Sequence, residues 1–300
     1  IFIPSLVNMK QNNSNLSDSF SCPYVQSIPY TLRSSINFEA AGVKVLDPPL
    51  FFKDGYNTST IHKELAEMAK TLGIKGKQLK IAIKKASEVQ DNFYKTLQRR
   101  GKEILRDLKP DDKAVVVVSR PYNGCDPGLN LGLPQKLMNL GVIPIPLDFL
   151  SIDEIDISED WPNMYWRYGQ KILCTVEIVR RDKRLNAMYL TNFGCGPDSF
   201  IAHFFREKMD DKPYLQIEID EHSADVGAIT RCEAFLDSLK NVSPSEIEKT
   251  KQVKVLSIEK GTQRTVYLPY MSDHACAIAA AFKANGVNAV VMPESNEETV

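Results

Sequence analysis

The sequence predicts an α/β protein with doubly wound, mostly parallel sheets in two Rossmann-like domains that are joined by long helices. Short runs of β-branched and apolar residues recur along the 300 residues, and segments with helical periodicity lie between them. Several of these apolar runs are continuous, such as AVVVVS (114–119). Continuous apolar strands separated by helices are typical of parallel sheets covered on both faces, whose ligands bind at the carboxyl ends of the strands.

The predicted strands are bounded by Pro, Gly or Asp. They are IFIPSLV (1–7), VKVLDP (43–48), AVVVVS (114–119), VIPIP (142–146), AMYLTNF (187–193), YLQIEID (214–220), TVYLPY (265–270) and NAVVMP (288–293). The segment from Ile61 to Leu108 is mostly helical in pattern and is predicted to connect two sheets. An apolar stripe at spacings of three and four residues predicts its buried face: Leu79, Ala82, Ala86, Val89, Phe93 and Leu97.

Three segments follow from this order of elements. Residues 1–110 are predicted to form an α/β domain with long connecting helices, and residues 111–240 a second α/β domain that carries the loop around Cys195. Residues 241–300 comprise a charged linker and a strand–helix–strand unit that could return to the first sheet. Because the chain starts within an apolar strand and ends just after another, we expect it to be a piece of a larger polypeptide.

Composition excludes several classes of protein. With 43% hydrophobic and 25% charged residues the chain is neither disordered nor collagen-like. A formal net charge of -1 indicates no nucleic-acid or membrane partner, and no apolar run is long enough to span a bilayer. Six cysteines, none in a CxxC pair, indicate reduced thiols and a cytoplasmic location.

Charge is distributed unevenly along the chain. The segment Lys75–Lys109 holds eleven basic and four acidic residues, whereas Ser151–Asp160 holds five acidic residues and no basic one. Two solvated surfaces are the favoured interpretation. A basic helix face that receives a phosphorylated ligand such as coenzyme A is the alternative.

The segment NFGCGPDSF places Cys195 between a predicted strand and a predicted helix. Glycines on both sides would let backbone N–H groups approach the sulfur, and the positive helix end would favour a thiolate. These features suit a nucleophile or a metal ligand. A small residue that merely fits a tight turn is the other interpretation, and the spacing leaves both open.

Cys22, in SFSCPYVQSIPY, is a second loop cysteine that precedes Pro at a predicted helix entrance. Iron–sulfur sites with one cluster draw thiolates from several loops, so the pair is a weak signal of such a site. Cys232 is predicted to lie in the core, Cys174 lies opposite the apolar stripe of its helix, and Cys125 is ambiguous.

Other polar residues of the predicted strand-end loops are candidate ligand contacts. They are Arg120, Tyr122, Asn192, Asp198, Ser199 and His222. For the segment around His222, capping of a helix by Ser223 or Asp225 is the structural alternative. The chain has no dinucleotide fingerprint, phosphate-loop motif or zinc spacing. DVGAIT (225–230) superficially resembles the phosphate loop of actin-like ATPases, but it is predicted to open a helix instead of joining two strands of a hairpin.

Four segments together carry a recognisable pattern: RPYNGCDPGLNLGLPQKLMNLG (120–141), YLTNFGCGPDSFIAHFFRE (189–207), KPYLQIEIDEHSADVGAITRCEAF (212–235) and SCP (21–23). In these segments the chain resembles the acyl-CoA dehydratase activase-related proteins, part of the 2-hydroxyacyl-CoA dehydratase and CoA-substrate-specific enzyme activase group. Members are often large polypeptides of anaerobes in which ATP-hydrolysing activator modules are fused to a region like this one.

The resemblance implies a cluster of the 4Fe-4S type, and the positions that match its ligand pattern are Cys22 and Cys195. A further family cysteine is expected beyond a segment like the last residues of this chain, so we expect the cluster to be absent from this chain alone. The implied partners are an ATP-hydrolysing activator module, fused or separate, and a small-molecule substrate such as an acyl-CoA. The activator would drive one low-potential electron into the cluster.

Two other functions remain open at this stage. A non-catalytic structural or docking module would use its cysteines as core or turn residues. An ATPase would rest on DVGAIT alone. No catalytic residue is assigned, and if the chain is part of an enzyme, the resemblance implies a lyase or reductase system.

Overall fold

The computed structural model describes residues 1–11, 15–241, 265–270 and 272–294. The chain divides into two compact units, Ile1–Ile247 and Glu248–Val300, each described here by itself. None of the helices in the described ranges has the length and apolar character needed to cross a membrane. The predicted domain boundaries near residues 110 and 240 stay predictions.

The first part of the larger unit is a small sheet with three helices. Its elements are β1 (Ser5–Asn8), α1 (Pro23–Ser35), β2 (Pro49–Phe51), α2 (Ser59–Thr71) and α3 (Gly76–Asp107). β1 and β2 pair in parallel. The helical prediction for the long connecting segment is confirmed, and Gly73, with a φ of +69°, separates its two helices.

The predicted strand at residues 43–48 is wrong in position, because β2 starts after it. Within this described run only Leu46 forms a β-bridge. Arg33 of α1 donates hydrogen bonds to the Asp47 carboxylate at 2.7 Å and to the carbonyl of Val45 at 3.4 Å. Backbone hydrogen bonds of 2.8 and 2.9 Å also join Leu46 to Ile1 and Ile3, so the run pairs with the start of the chain without forming a regular strand.

The predicted buried face of α3 is also wrong over most of its length, because Ala82 and Ala86 are exposed as well. Leu79 is buried, together with Ile83, in a cluster against α2. Further along, Val89 and Phe93 are 62% and 54% exposed, whereas Tyr94 is partly buried. The second half of α3 packs on the turn at residues 147–149, and there polar side chains of the helix point inward.

The second part of the larger unit is a four-stranded parallel sheet with helices. Its elements are β3 (Ala114–Val118), α4 (Pro121–Cys125), α5 (Leu133–Asn139), β4 (Ile143–Pro146), short 3-10 turns at 147–149 and 152–154, α6 (Arg167–Arg181), β5 (Leu185–Asn192), α7 (Gly196–Met209), β6 (Tyr214–Ile219) and α8 (Asp225–Asn241). The strand order is β4-β3-β5-β6, and all pairs are parallel.

Helices cover both faces of this sheet. Apolar side chains of α6 and α7 pack on one face, and those of α5 and α8 on the other. Val116 faces the first pair and Val117 the second, which explains why the strands read as continuous apolar runs. The α/β class with parallel sheets is therefore confirmed, whereas a second Rossmann-like domain is not.

Two cysteines of this unit lie in its core. Cys232 of α8 is 1% exposed, as predicted. Cys174 of α6 is 5% exposed, and burial raises the pKa of its thiol to about 12. The apolar stripe placed Cys174 on the outer side of its helix, which is wrong because α6 is buried on most of its circumference.

The smaller unit has the predicted strand–helix–strand order: β7 (Val266–Leu268), α9 (His274–Ala284) and β8 (Ala289–Val291). The two strands pair in parallel. Residues 242–264 of the predicted linker lie outside the described residues. The return of this unit to the first sheet stays a prediction.

The packing of α3 yields a stability prediction. A Cβ atom at Gly101 would lie 1.9 Å from the carbonyl oxygen of Phe149, so Gly101→Ala forces the two backbones apart. We expect it to lower the free energy of unfolding by about 1–3 kcal/mol in urea denaturation. Gly76→Ala in the same helix is the control, since no atom lies within 4 Å of its Cβ position. Equal losses in the two variants would contradict this packing.

Candidate functional site

The strand order creates a crevice at the carboxyl edge of the four-stranded sheet. The chain leaves β3 toward α5 on one face, and it leaves the neighbouring strand β5 toward α7 on the opposite face. Ligands of open parallel sheets bind where adjacent connections diverge in this way. We therefore expect a ligand site at the loops after β3 and β5.

A buried ion pair joins these two loops. Arg120 follows β3 closely, and its side chain is 4% exposed. Its Nη2 donates to Asp198 Oδ2 at 2.6 Å, and its Nη1 donates to Cys195 Sγ at 3.3 Å. Burial lowers the pKa of Arg120, but Asp198, Tyr122 and Cys195 together more than offset this and raise it above its ordinary value. The guanidinium thus stays charged in a nearly dry environment.

Cys195 is the N-cap residue of α7, in the predicted strand-to-helix turn. Gly194 has a φ of +70°, which favours glycine, and Pro197 lies in the first turn of the helix. The backbone N–H of Asp198 donates to Cys195 Sγ at 3.5 Å. Burial raises the pKa of the Cys195 thiol, against the lowering effects of that N–H and of Arg120. The N–H of the turn thus favours a thiolate, as predicted, but burial outweighs its effect in the free thiol.

Several buried polar atoms close to the ion pair have no hydrogen-bond partner among the described residues. They are Arg120 Nε, Asp198 Oδ1, both amide atoms of Asn123, Tyr189 OH and Thr191 Oγ1. Unpaired buried polar groups are rare and mark places where a ligand or ordered water completes the structure. The ligand contacts predicted from the sequence do not include Asn123, Tyr189 or Thr191. In the sequence, Tyr189 and Thr191 stand out only as polar side chains within a mostly apolar strand.

Cys22 is the N-cap residue of α1 and is 6% exposed. Its loop is docked to the start of α6 through main-chain hydrogen bonds. Phe20 N–H donates to the Tyr165 carbonyl at 2.7 Å, and Arg167 N–H donates to the Phe20 carbonyl at 2.9 Å. Because α6 ends close to the start of β5, its beginning lies toward the carboxyl edge. The loop of Cys22 therefore lies on the same side of the sheet as the loop of Cys195.

The two cysteine loops line a common cleft of about 590 Å³. Ser21 and Pro23, on either side of Cys22, lie in its wall, and so do Gly196 and Pro197 beside Cys195. Phe200, which is 66% exposed, adds an apolar surface to this wall. Neither Cys22 nor Cys195 is itself a lining residue; their chain neighbours are. We call this space the cysteine cleft.

Tyr122 connects the surroundings of the two cysteines. The Arg120 guanidinium lies 5.0 Å from the centre of its ring. Burial raises the pKa of the Tyr122 phenol, Arg120 lowers it, and the charge of Cys22 raises it. Tyr122 is thus within electrostatic reach of both Arg120 and Cys22.

The remaining predicted contacts have local roles. Ser199 Oγ donates to the Cys195 carbonyl at 3.0 Å, and the Asn192 carbonyl accepts the Cys195 N–H at 3.1 Å, so both shape the turn. The side chain of His222 is 82% exposed in the loop after β6, beside Glu221. Across the described residues no contact joins His222 to the Arg120 ion pair.

DVGAIT lies in the first turns of α8, as predicted. Asp225 forms an ion pair with Lys136, with 3.0 Å between Asp225 Oδ2 and Lys136 Nζ. The segment follows β6 and runs into a helix, so it does not have the hairpin geometry of the actin-like phosphate loop. The structure gives the ATPase hypothesis no support at this segment.

No group of three or more His, Cys, Asp or Glu side chains that could hold a metal ion is found in the described part of the chain. What the described residues offer is two thiols at helix N-termini beside one cleft. Thiolates are the usual ligands of iron–sulfur clusters, which take four. The donor chemistry therefore fits such a cluster, but the number of ligands falls short.

Comparison with known proteins gives one match. A family model described as "CoA enzyme activase uncharacterised domain (DUF2229)" matches residues 1–150, which is half of the chain. The matched part includes Cys22 and Arg120, whereas Cys195 and Asp198 lie outside it. No curated protein and no solved structure matches the chain.

The ion pair between Arg120 and Asp198 can be tested by a double-mutant cycle. Arg120→Met leaves a buried carboxylate without its partner, so we expect a loss of about 3–5 kcal/mol in the free energy of unfolding. Asp198→Leu should cost a similar amount. The double variant should recover much of the loss, because neither charge then remains buried.

Arg33→Met is the matched control, because it removes an arginine whose bidentate pair with Asp47 is solvent-exposed. Urea denaturation should find its midpoint nearly unchanged. Additive losses from the two buried single variants would contradict the coupling of these side chains.

Proposed function

Because the chain belongs to the family of CoA enzyme activase uncharacterised domains, we propose that it is the cluster-carrying module of an ATP-dependent electron-transfer system related to the 2-hydroxyacyl-CoA dehydratases. In this proposal Cys22 and Cys195 are thiolate ligands of an iron–sulfur cluster of the 4Fe-4S type. An ATP-hydrolysing activator, fused or separate, is its electron donor, and a small molecule of the acyl-CoA class is its substrate.

The observation that carries the proposal is the shared cleft. The residues that flank Cys22 and those that flank Cys195 line one space of about 590 Å³. Each cysteine also caps the N-terminus of a helix of 13 or 14 residues. Free N–H groups and the helix dipole at such ends stabilise negative charge, which suits sulfur ligands of an anionic cluster.

When bound, the cluster would supply one-electron transfer at low potential. The chain's own residues would prepare the thiolates for that role. Cys195 must lose its proton to become a ligand, and the Arg120 guanidinium and Asp198 N–H already donate to its sulfur. Arg120 would then compensate the negative charge at Cys195.

Two cysteines are fewer than the four ligands of a cubane cluster. Since the described residues bring no third metal-binding side chain to this place, the proposal requires further ligands from outside them. These could come from other segments of the natural polypeptide or from a second protein.

One observation favours the alternative of a structural or docking module without a cofactor. Cys195 Sγ already accepts two hydrogen bonds, from Arg120 Nη1 and from Asp198 N–H. A sulfur in this position can stabilise the turn with no metal bound. The two functions differ in whether the natural polypeptide binds iron.

Anaerobic reconstitution of the natural full-length polypeptide with iron and sulfide tests the proposal. We expect a broad visible absorbance and stoichiometric iron, both lost in the double variant Cys22→Ser/Cys195→Ser because the two thiolates are ligands. Cys125→Ser is the control, since this exposed thiol lies in the neighbouring loop and should leave the iron content unchanged.

Two outcomes would count against the cluster. Iron that stays bound after both cysteines are replaced would exclude them as ligands. A folded wild-type polypeptide that takes up no iron would favour the structural module. Circular dichroism of each variant distinguishes loss of iron from loss of fold.

A further inference from the structure

A second cavity, of about 190 Å³, lies between α3, the end of β1 and the segment that connects β4 to α6. Neither Cys22 nor Cys195 lines it. The polar residues that matter for its chemistry are Lys10, Tyr56, Asp91, Tyr94, Arg167 and Lys171. We call this space the α3 cavity.

The α3 cavity explains why the apolar stripe of α3 failed as a prediction. Val89 and Phe93 are available to be buried, yet they face solvent. Asp91 and Tyr94 line the cavity in their place. Burying polar side chains costs free energy unless they are paired, so a helix that turns them inward in place of apolar ones needs a reason.

Arg167 has an unused hydrogen-bond donor in this cavity. The residue is 7% exposed. Its Nη2 donates to Asp153 at 2.8 Å and its Nη1 donates to Gln170 at 3.2 Å. Its Nε is buried and has no partner within the described residues. A buried guanidinium N–H without an acceptor is costly, and an acceptor on a ligand would remove that cost.

Two phenols add further donors. Tyr56 and Tyr94 line the α3 cavity and are partly exposed, and no hydrogen bond joins either hydroxyl to another described residue. Burial raises the pKa of both phenols, so they remain protonated and can donate. The carboxylates of the cavity are engaged already: Asp91 pairs with Lys10 at 2.6 Å.

The charges of the lining leave one positive charge in excess. Lys171 pairs with Asp148 at 2.7 Å, with both side chains largely buried. The whole lining has four basic side chains (Lys10, Lys95, Arg167, Lys171) against three acidic ones (Asp91, Asp148, Asp153). The basic side chain in excess is Lys95, which is exposed, so a negatively charged occupant that accepts hydrogen bonds meets no opposing net charge.

We propose that the α3 cavity binds a small monocarboxylate whose oxygens accept hydrogen bonds from Arg167 Nε and the hydroxyls of Tyr56 and Tyr94. A carboxylate has one charge and two acceptor oxygens, and guanidinium groups match its geometry. A cavity of roughly 150 Å³ holds a benzene ring, so acids up to about the size of benzoate fit. This site is independent of the cysteine cleft and does not rest on the proposed cluster.

Titration of the chain with propionate and with benzoate, followed by calorimetry and thermal unfolding, tests the proposal. We expect saturable binding of at least one acid that raises the unfolding temperature. Tyr94→Phe and Tyr56→Phe each remove one donor with little change in volume, and each should weaken binding about 3- to 10-fold. Arg167→Gln should weaken it further, but it also breaks a buried ion pair, so the phenylalanine variants decide the result.

Tyr30→Phe is the control, because Tyr30 is 59% exposed on α1 and does not line the cavity, and it should bind the acid like the wild type. Three results would overturn the proposal. One is the absence of saturable binding of either acid, and another is binding that neither Tyr94→Phe nor Tyr56→Phe changes. The third is binding of inorganic phosphate without binding of either carboxylate.

Discussion

The ion pair between Arg120 and Asp198 is the interaction on which the arrangement of the carboxyl edge depends. A charge that is almost fully removed from water must be paired, so the loop after β3 and the first turn of α7 can be buried there only together. Arg120 also donates to Cys195 Sγ, which ties the thiol to the same constraint. The position of Cys195 is thus set by a residue that lies 75 positions earlier in the chain.

The start of α6 has a similar role for the first part of the chain. The backbone N–H of Arg167 holds the Phe20 carbonyl and with it the loop of Cys22. The side chain of Arg167 reaches the α3 cavity, where it pairs with Asp153. One residue therefore helps to build both the cysteine cleft and the α3 cavity, although the two spaces have no lining residue in common.

The basic and acidic segments of the sequence meet in the same region. There α3 packs on the acidic segment after β4, and Lys102 pairs with Glu154 at 3.3 Å.

Much of the fold could be predicted from local patterns. The four strand-like runs between residues 114 and 220 correspond to β3, β4, β5 and β6. The central strands β3 and β5 are apolar along most of their length because they are covered on both faces. Both cysteine loops were predicted at helix entrances from the Pro that follows each of them, and Cys22 and Cys195 are indeed N-cap residues. The predictions failed where contacts distant in sequence compete with a local pattern. Residues 43–48 form only an isolated β-bridge at Leu46, and α3 turns Asp91 and Tyr94 inward in place of its apolar stripe.

The sequence by itself determined the α/β class, the parallel strands of the larger sheet and the turns that carry Cys22 and Cys195. These features depend on residues that are neighbours in the chain, such as glycine, proline and continuous apolar runs. Only the tertiary structure decided that Arg120 contacts Cys195, that the two cysteine loops line one cleft, and that the unpaired donors of Arg167, Tyr56 and Tyr94 line another. Burial and pairing of charges are set by segments that meet in space, and a pattern along one segment contains no information about its partner.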